Sequence, residues 1–520
     1  MSGMIQNPIL PGFYPDPSIC RVGNDYYMVT SSFSYFPGVP IFHSRDLKHW
    51  EQLGHVLDRI EQLPLNSRHI SGGIYAPTIR WHDGLFYMIT TNVDGIGDFV
   101  VTAENPAGPW SEMHVLEGIP GIDPSLFWDE DGQCYMCGNE WGNGGNHIWA
   151  AAFDTEHFTL GERHELWRGA LVHCHAPEAP HLYRKGGWYY LMIAEGGTEF
   201  YHAVTIARSE SIFGPYEGYR GNPILTHRHL GPDFPVSNVG HADLVQTQDG
   251  SWYMVMLASR LVDGHRILGR ETYMTPVDWS GDWPVVSPGK GMIEMTFPAP
   301  ALPDCPFVPE NADNWHAQVW NHLGTPDNTP VRIDGDRLYI RCVAAPLIPS
   351  PDEDPGFSLH AAGFYGRRQQ DPSFIAECDV TLPPEAGVTC GMTVLQNDFA
   401  SIRLELQHAG GMLFCRALCA RKQLTERRHY APDVPVTTQV LGETVLERRP
   451  AHLTLRAQGR IYTLSVNGQT MAMVDGGFMG SETCYGFIGA YIGLYASGNG
   501  TERSCEACFR NFHYQAQEDN

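Results

Sequence analysis

The chain has 520 residues, 42% of them hydrophobic and 18% charged, the balance of a packed globular protein too long for one ordinary domain. Its formal net charge of −25 argues against nucleic acid and against an anionic membrane, both of which need basic patches. It also fits an acidic polysaccharide poorly, so a neutral partner is the simplest reading.

The first residues, MSGMIQNPIL, carry neither a charged n-region nor a long apolar run, so no secretory signal is expected. No stretch of about 18 apolar residues marks a membrane span. The 13 cysteines are odd in number and scattered, as in a protein whose thiols stay reduced. A cytoplasmic location is the expectation. Cys134/Cys137 and Cys505/Cys508 have C-x-x-C spacing. Cys134 and Cys137 fall in a predicted strand, where positions i and i+3 face opposite sides, so zinc is not expected there. Cys174, between His173 and His175, reads as a chance cluster.

Over residues 1–297 a short motif recurs five times: Asp16-Pro17, Ala76-Pro77, Asp123-Pro124, Ala179-Pro180 and, in altered form, His241-Ala242. Successive copies start 47 to 62 residues apart. Each precedes a turn and an aromatic strand, as at Tyr26-Tyr27, Phe86-Tyr87, Tyr135, Trp188-Tyr189 and Trp252-Tyr253. Asp83-Gly84, Asp131-Gly132 and Asp249-Gly250 are hairpin turns. The spacing is that of a four-stranded propeller blade and predicts a five-bladed β-propeller. The proline-dense segment 298–310 reads as a linker. From 311 to 520 short strands alternate polar and apolar residues, as in Ser401–Leu406, His452–Leu455 and Ile461–Val466, the last running into the turn Asn467-Gly468. This predicts a β-sandwich. The fold class is all-β.

Five blades around one axis bring five equivalent strand starts to a common centre. Asp16, Asp123, Glu178 and His241 stand at or beside them. Cleaving a glycosidic bond needs one ionised carboxylate and one protonated carboxylic acid, and a third acidic group can hold the acid's pKa up by like-charge repulsion. Asp16, Glu178 and Asp123 supply such a set. Glu178 lies one residue before the repeat position, at the place of Tyr75 in blade two, and so approaches the centre from another angle. A lone Asp-Pro-Ser is more often a turn cap, but copies in phase with Ala-Pro and Glu-Ala-Pro favour the site. Glu195 and Glu199 follow the aromatic strand of blade four and are expected near the mouth, as supporting or substrate contacts. Asp129-Glu130-Asp131 is a solvated turn. His241 is expected in the channel, on a metal ion or a water.

The segments NPILPGFYPDPSI, SSFSYFPGVPIFHSRDLKHWE, GGIYAPTIR, GIDPSLF, PEAPHLY, AEGGT, GHADLV and LGRETY resemble, in order, glycoside hydrolase family 43, nearest its β-xylosidase and α-L-arabinofuranosidase members. GFIGAYIGLYAS resembles the family's appended C-terminal domain, which implies a sandwich of concanavalin-like or jelly-roll type. The resemblance implies an inverting hydrolase, with Asp16 as general base, Asp123 as pKa modulator and Glu178 as general acid. It also implies that Arg270 contacts substrate and modulator, that His241 lies on the axis where calcium can bind, that Phe33 and Tyr75 line the sugar pocket, and that Phe487 reaches over it. Tyr75 and Tyr35 replace the family's usual tryptophans, and both are expected to line or border the pocket. The expected activity is release of terminal xylose from short neutral pentose oligosaccharides, with no cofactor required. Arabinofuranosidase or dual activity, endo-arabinan or β-fructoside cleavage, and a non-catalytic carbohydrate-binding propeller are the alternatives. Homo-oligomerisation is left open.

Overall fold

The computed structural model describes residues 3–518 except 66, 68, 143–144, 173–174, 304, 327–329, 348–361, 423–435 and 448–449. Its first half is five antiparallel meanders. Their innermost strands are Ser18–Val22, Thr78–His82, Ser125–Trp128, Glu178–Lys185 and Val236–Gln246. Each is followed outward by at least three more strands of its own sheet. The blades meet through side chains, because both faces of each middle strand are apolar. Ile79 and Met88 of blade two pack against Val29 and Ile41 of blade one. Leu126 and Met136 meet Ile89 and Val100, Leu182 and Leu191 meet Ile148 and Ala150, and Met254 and Met256 meet Met192 and Ile206. Val245, Val255 and Met274 of blade five then pack against Ile19, Met28 and Phe42 of blade one. These five inter-blade cores close the ring, and the chain is a five-bladed propeller followed by a sandwich.

The N-terminal segment clasps the last blade. Met4–Gln6 pairs antiparallel with Thr296–Pro298. The Asn7 amide then imitates a backbone partner: it donates to the Met274 carbonyl at 2.8 Å and accepts from the Met274 N–H at 2.9 Å.

The sandwich stacks a seven-stranded sheet on a six-stranded one over a single apolar core. It does not hang free of the propeller. His322–Leu323 pairs with Tyr35–Phe36, Tyr35 stacks on Tyr491 with ring centroids 3.8 Å apart, and Arg368 lies 4.2 Å from the Tyr14 ring. Phe13, Phe33 and Tyr35 share one buried cluster with Leu395, Ile488 and Tyr491 of the sandwich. Tyr35 is therefore fully buried between the domains, not at the border of a pocket, which corrects the expectation drawn from the family resemblance.

Cys134 and Cys137 sit on one strand and enter different cores, between blades two and three and between blades three and four. Burial pushes both thiols above their ordinary range. His173 and Cys174 lie outside the described residues. Among the described residues, no helix is long and apolar enough to cross a membrane.

Blade two carries an isolated buried acid. Asp98 is 2% exposed, and its side chain accepts a hydrogen bond from the Thr91 hydroxyl at 2.5 Å. Burial raises its carboxyl from 3.8 to about 7, with Thr91 pulling the other way. A carboxyl whose folded pKa is raised weakens the fold as pH climbs from the unfolded value through the folded one. Asp98→Asn removes that dependence. The stability of the variant relative to the parent should therefore rise by about 2–3 kcal/mol between pH 5 and pH 8, measured by urea unfolding at both pH values; a constant difference would contradict the assignment.

Candidate active site

The site grows out of an unusual backbone feature repeated around the hub. Asp16, Asp123, Ala179 and His241 have φ of 55°, 56°, 51° and 46°, a left-handed conformation that non-glycine residues adopt rarely and mainly where function demands it. In blades one, three and five the kinked residue itself lines a central cavity. In blade four the kinked residue is Ala179, and Glu178 before it lines the cavity instead. Blade two presents Tyr75 and Ala76. The register offset of Glu178 is thus real, and it comes with a β-bulge: pairing with the next strand slips between Glu178 and His181, an irregularity that can redirect a side chain.

The cavity has a volume of about 600 Å³, within the usual size for a small-ligand site. Asp16 and Asp123 are 4% and 7% exposed. Asp16 accepts from the Ser31 hydroxyl at 2.6 Å and from Arg270 Nη1 at 2.8 Å. Asp123 accepts from the backbone N–H of Ala179 at 3.2 Å, so the middle carboxylate grips the chain immediately after Glu178. Arg270 also donates to the Thr198 hydroxyl at 3.0 Å and, through Nε and Nη2, to the Phe487 carbonyl at 3.2 and 2.9 Å. It therefore pairs with Asp16 rather than with Asp123, which it influences only through its charge. Contact between Arg270 and the modulator, implied by resemblance, is corrected accordingly.

These arrangements separate the carboxyls chemically. Glu178 is raised from 4.5 to about 7, first by burial and then by the charge of Asp16, with Arg270 opposing. Asp123 is pushed well above the ordinary range by burial, then by Glu178 and Asp16. Burial thus leads, and the like charge that raises Glu178 comes from Asp16, not from Asp123 as anticipated from the sequence.

The floor is aromatic. Phe33 and Tyr75 have ring centroids 5.0 Å apart, and Tyr75 meets Phe487 edge-on at 6.1 Å. Phe487 arrives from the sandwich, so the second domain closes one side of the cavity. Glu199 lines the cavity, as expected of a residue near the mouth. Glu195 does not. It is 2% exposed and accepts from the N–H groups of Ala170 and Leu171 and from Thr205, which makes it a structural clamp. Trp141, Tyr201 and His175 line the cavity without having been anticipated. Trp141 and Tyr201 are 48% and 63% exposed, at the rim. Trp141 directly follows the second strand of blade three, and the reasoning that placed Glu199 after the same strand of blade four applies equally to it.

His241 is buried, with Nδ1 3.7 Å from Asp16 and 4.0 Å from Asp123. Calcium takes six to eight oxygens. Here one imidazole faces two carboxylates already engaged by Arg270, Ser31 and Ala179. Among the described residues, no three His, Cys, Asp or Glu side chains form a metal-holding group. The set fits calcium poorly.

A propeller hub that gathers three carboxyls in one cavity, one of them paired with an arginine, over an aromatic floor, defines a glycoside hydrolase. Residues 5–284 match glycosyl hydrolases family 43, and residues 316–515 match the β-xylosidase C-terminal concanavalin A-like domain. The chain belongs to glycosyl hydrolases family 43. It is 42% identical to a xylosidase/arabinosidase of Butyrivibrio fibrisolvens over 95% of this chain and 96% of the relative. It is 36% identical to a non-reducing end α-L-arabinofuranosidase of Bacteroides ovatus over 98% and 94%. The crystal structure of a xylan β-1,4-xylosidase from Bacillus halodurans superimposes with a TM-score of 0.86 at 32% identity, covering 98% of this chain and all of that one.

The Asp16–Arg270 pair is buried, so removing one partner leaves an uncompensated charge. Arg270→Met should cost about 3–5 kcal/mol of stability, and Asp16→Asn in the same background should recover part of it. Chemical unfolding of the double-mutant cycle checks this, and additive losses would show that the pair is not coupled.

Proposed function

We propose that the protein is an inverting, exo-acting β-D-xylosidase that removes the terminal sugar from short xylo-oligosaccharides. The observation that carries this reading is the pairing of two differently prepared carboxyls in one cavity. Asp16 is held by a cation and a hydroxyl, as suits a base that takes a proton from water. Glu178 keeps its proton to about pH 7, as suits an acid that donates to the leaving oxygen. In this scheme water attacks the anomeric carbon as Asp16 takes its proton, and the glycosidic bond breaks as Glu178 protonates the departing oxygen. Asp123 holds the backbone behind Glu178, while the like charge that helps keep Glu178 protonated is that of Asp16. Phe33, Tyr75 and Phe487 give the sugar ring apolar surface, and Arg270 sets Asp16 while closing the cavity against the sandwich. That closure supports attack at chain ends, and Trp141 and Tyr201 flank the way out for the remaining chain.

A second reading, activity on α-L-arabinofuranosides alone or as well, is supported by relatives named for both sugars and by Tyr75 on the cavity floor, where the family resemblance implies tryptophan. Tyr35 carries no weight in that choice, because it lies between the domains.

Parallel assays on 4-nitrophenyl β-D-xylopyranoside, 4-nitrophenyl α-L-arabinofuranoside and xylotriose test the proposal. Xylose and xylopentaose should be the first products from xylohexaose assayed alongside, since either cut of xylotriose gives xylose and xylobiose. Because the protonated form of Glu178 is the active one, turnover of xylotriose should fall about tenfold per pH unit above about pH 7. Mixed oligomers as first products would sink the exo reading, release from the arabinoside alone would favour the second reading, and turnover that stays flat to pH 9 would remove Glu178 from the acid's role.

A further inference from the structure

Glu178 is aimed by a bulge, and a bulge leaves backbone that something must hold. Glu178 stands opposite Ala194 and His181 opposite Met192, so Ala179 and Pro180 together face the single residue between those partners. Blade three holds two points of this bulge. Asp123 accepts from the Ala179 N–H at 3.2 Å, and the Ser125 hydroxyl donates to the Pro180 carbonyl.

The third hold comes from beneath. His181, the residue that ends the bulge, is 2% exposed. Its Nδ1 is 2.9 Å from Nη2 of Arg80. A guanidinium can only donate, so Nδ1 must be bare and the ring neutral with its proton on Nε2. Burial keeps it so, lowering the imidazole to about 3. Arg80 is in turn fixed by Asp243, whose oxygens accept from Nη1 at 2.8 Å and Nη2 at 3.2 Å. Asp243 is fully buried and also accepts from Ser18 at 2.8 Å, Tyr183 at 2.7 Å and the Ile19 N–H at 3.1 Å. One carboxylate thus ties blades one, two, four and five together directly below the reacting groups. His181 does not line the cavity, so it acts on the reaction through Glu178.

We propose that His181 is a positioning residue for proton donation: its bare Nδ1, held by the Arg80–Asp243 clamp, sets the bulge that points Glu178 at the leaving oxygen. This rests on the reading of Glu178 as the acid. Proton transfer needs heavy atoms about 2.6–3.2 Å apart, and a misplacement of about 1 Å can cost about 10²-fold. A misaimed acid should therefore penalise substrates whose leaving group needs the proton and largely spare those whose leaving group does not.

The experiment compares kcat on xylobiose and on 2,4-dinitrophenyl β-D-xylopyranoside in the same protein preparation. A partly unfolded preparation lowers both rates equally, so their ratio reports aim rather than folding. His181→Leu should lose about 10²-fold on xylobiose and less than about 5-fold on the activated glycoside. His181→Asn, which keeps an acceptor near the Nδ1 position, should stay within about 3-fold of the parent on both. Arg80→Lys keeps a cation beside Asp243 but loses the fork that reaches His181, and should show the same selective loss as His181→Leu. Equal losses on the two substrates, or an Asn variant as impaired as the Leu variant, would overturn the proposal. Glu178→Gln is the reference: if it shows no selectivity between the substrates, the acid assignment fails rather than the positioning role.

Discussion

Arg270 is the interaction on which the rest of the active site depends. Its guanidinium joins Asp16 at the start of blade one, Thr198 in the loop after the second strand of blade four and the Phe487 carbonyl of the sandwich. One buried cation thereby fixes the candidate base, counters the gathered negative charge of the hub and docks the second domain. Without it, three acidic side chains would share a low-dielectric cavity with no permanent positive charge in contact. Its rigid five-donor fork suits this better than lysine, whose ammonium could not serve a carboxylate, a hydroxyl and a carbonyl in fixed directions.

The propeller contributes convergence. Five sheets that meet mainly through side chains can each deliver a strand start to the axis, and the left-handed kinks at Asp16, Asp123, Ala179 and His241 accompany the turn of side chains toward one cavity. The strain of the kinks is supported from below by the Asp243 cluster and from outside by the five inter-blade cores. The sandwich contributes closure. Its stacking on Tyr35 through Tyr491 and its delivery of Phe487 turn an open hub into a walled cavity.

Much of this was legible in the chain. The blade period was carried by turns and aromatic strands, which are local signals, and the three carboxyls stood at repeat positions that any ring must bring together. The offset of Glu178 was readable because it broke the repeat by one residue. Long-range pairing was not readable. Nothing local to Arg270 distinguishes Asp16 from Asp123 as its partner, and Tyr35 lies so close in sequence to Phe33 that only the docked sandwich reveals their different fates. Glu195 and Glu199 share one short segment, yet one faces the protein interior and the other the cavity, because Glu195 ends the strand and Glu199 lies in the loop beyond. Cys134 and Cys137 show the converse case, where strand alternation alone placed them in separate cores. Trp141 directly follows the second strand of its blade, so the blade pattern carries it to the cavity rim as it carries Glu199.

The central claim is that Asp16 acts on water while Glu178 protonates the leaving oxygen, in a single displacement at the anomeric carbon. Proton NMR of the first sugar released from a β-xyloside tests it directly, before mutarotation blurs the signal. The account predicts that α-xylose appears first and β-xylose only as the anomers equilibrate. Initial formation of β-xylose would mean a covalent intermediate on one of the carboxylates, and would contradict it.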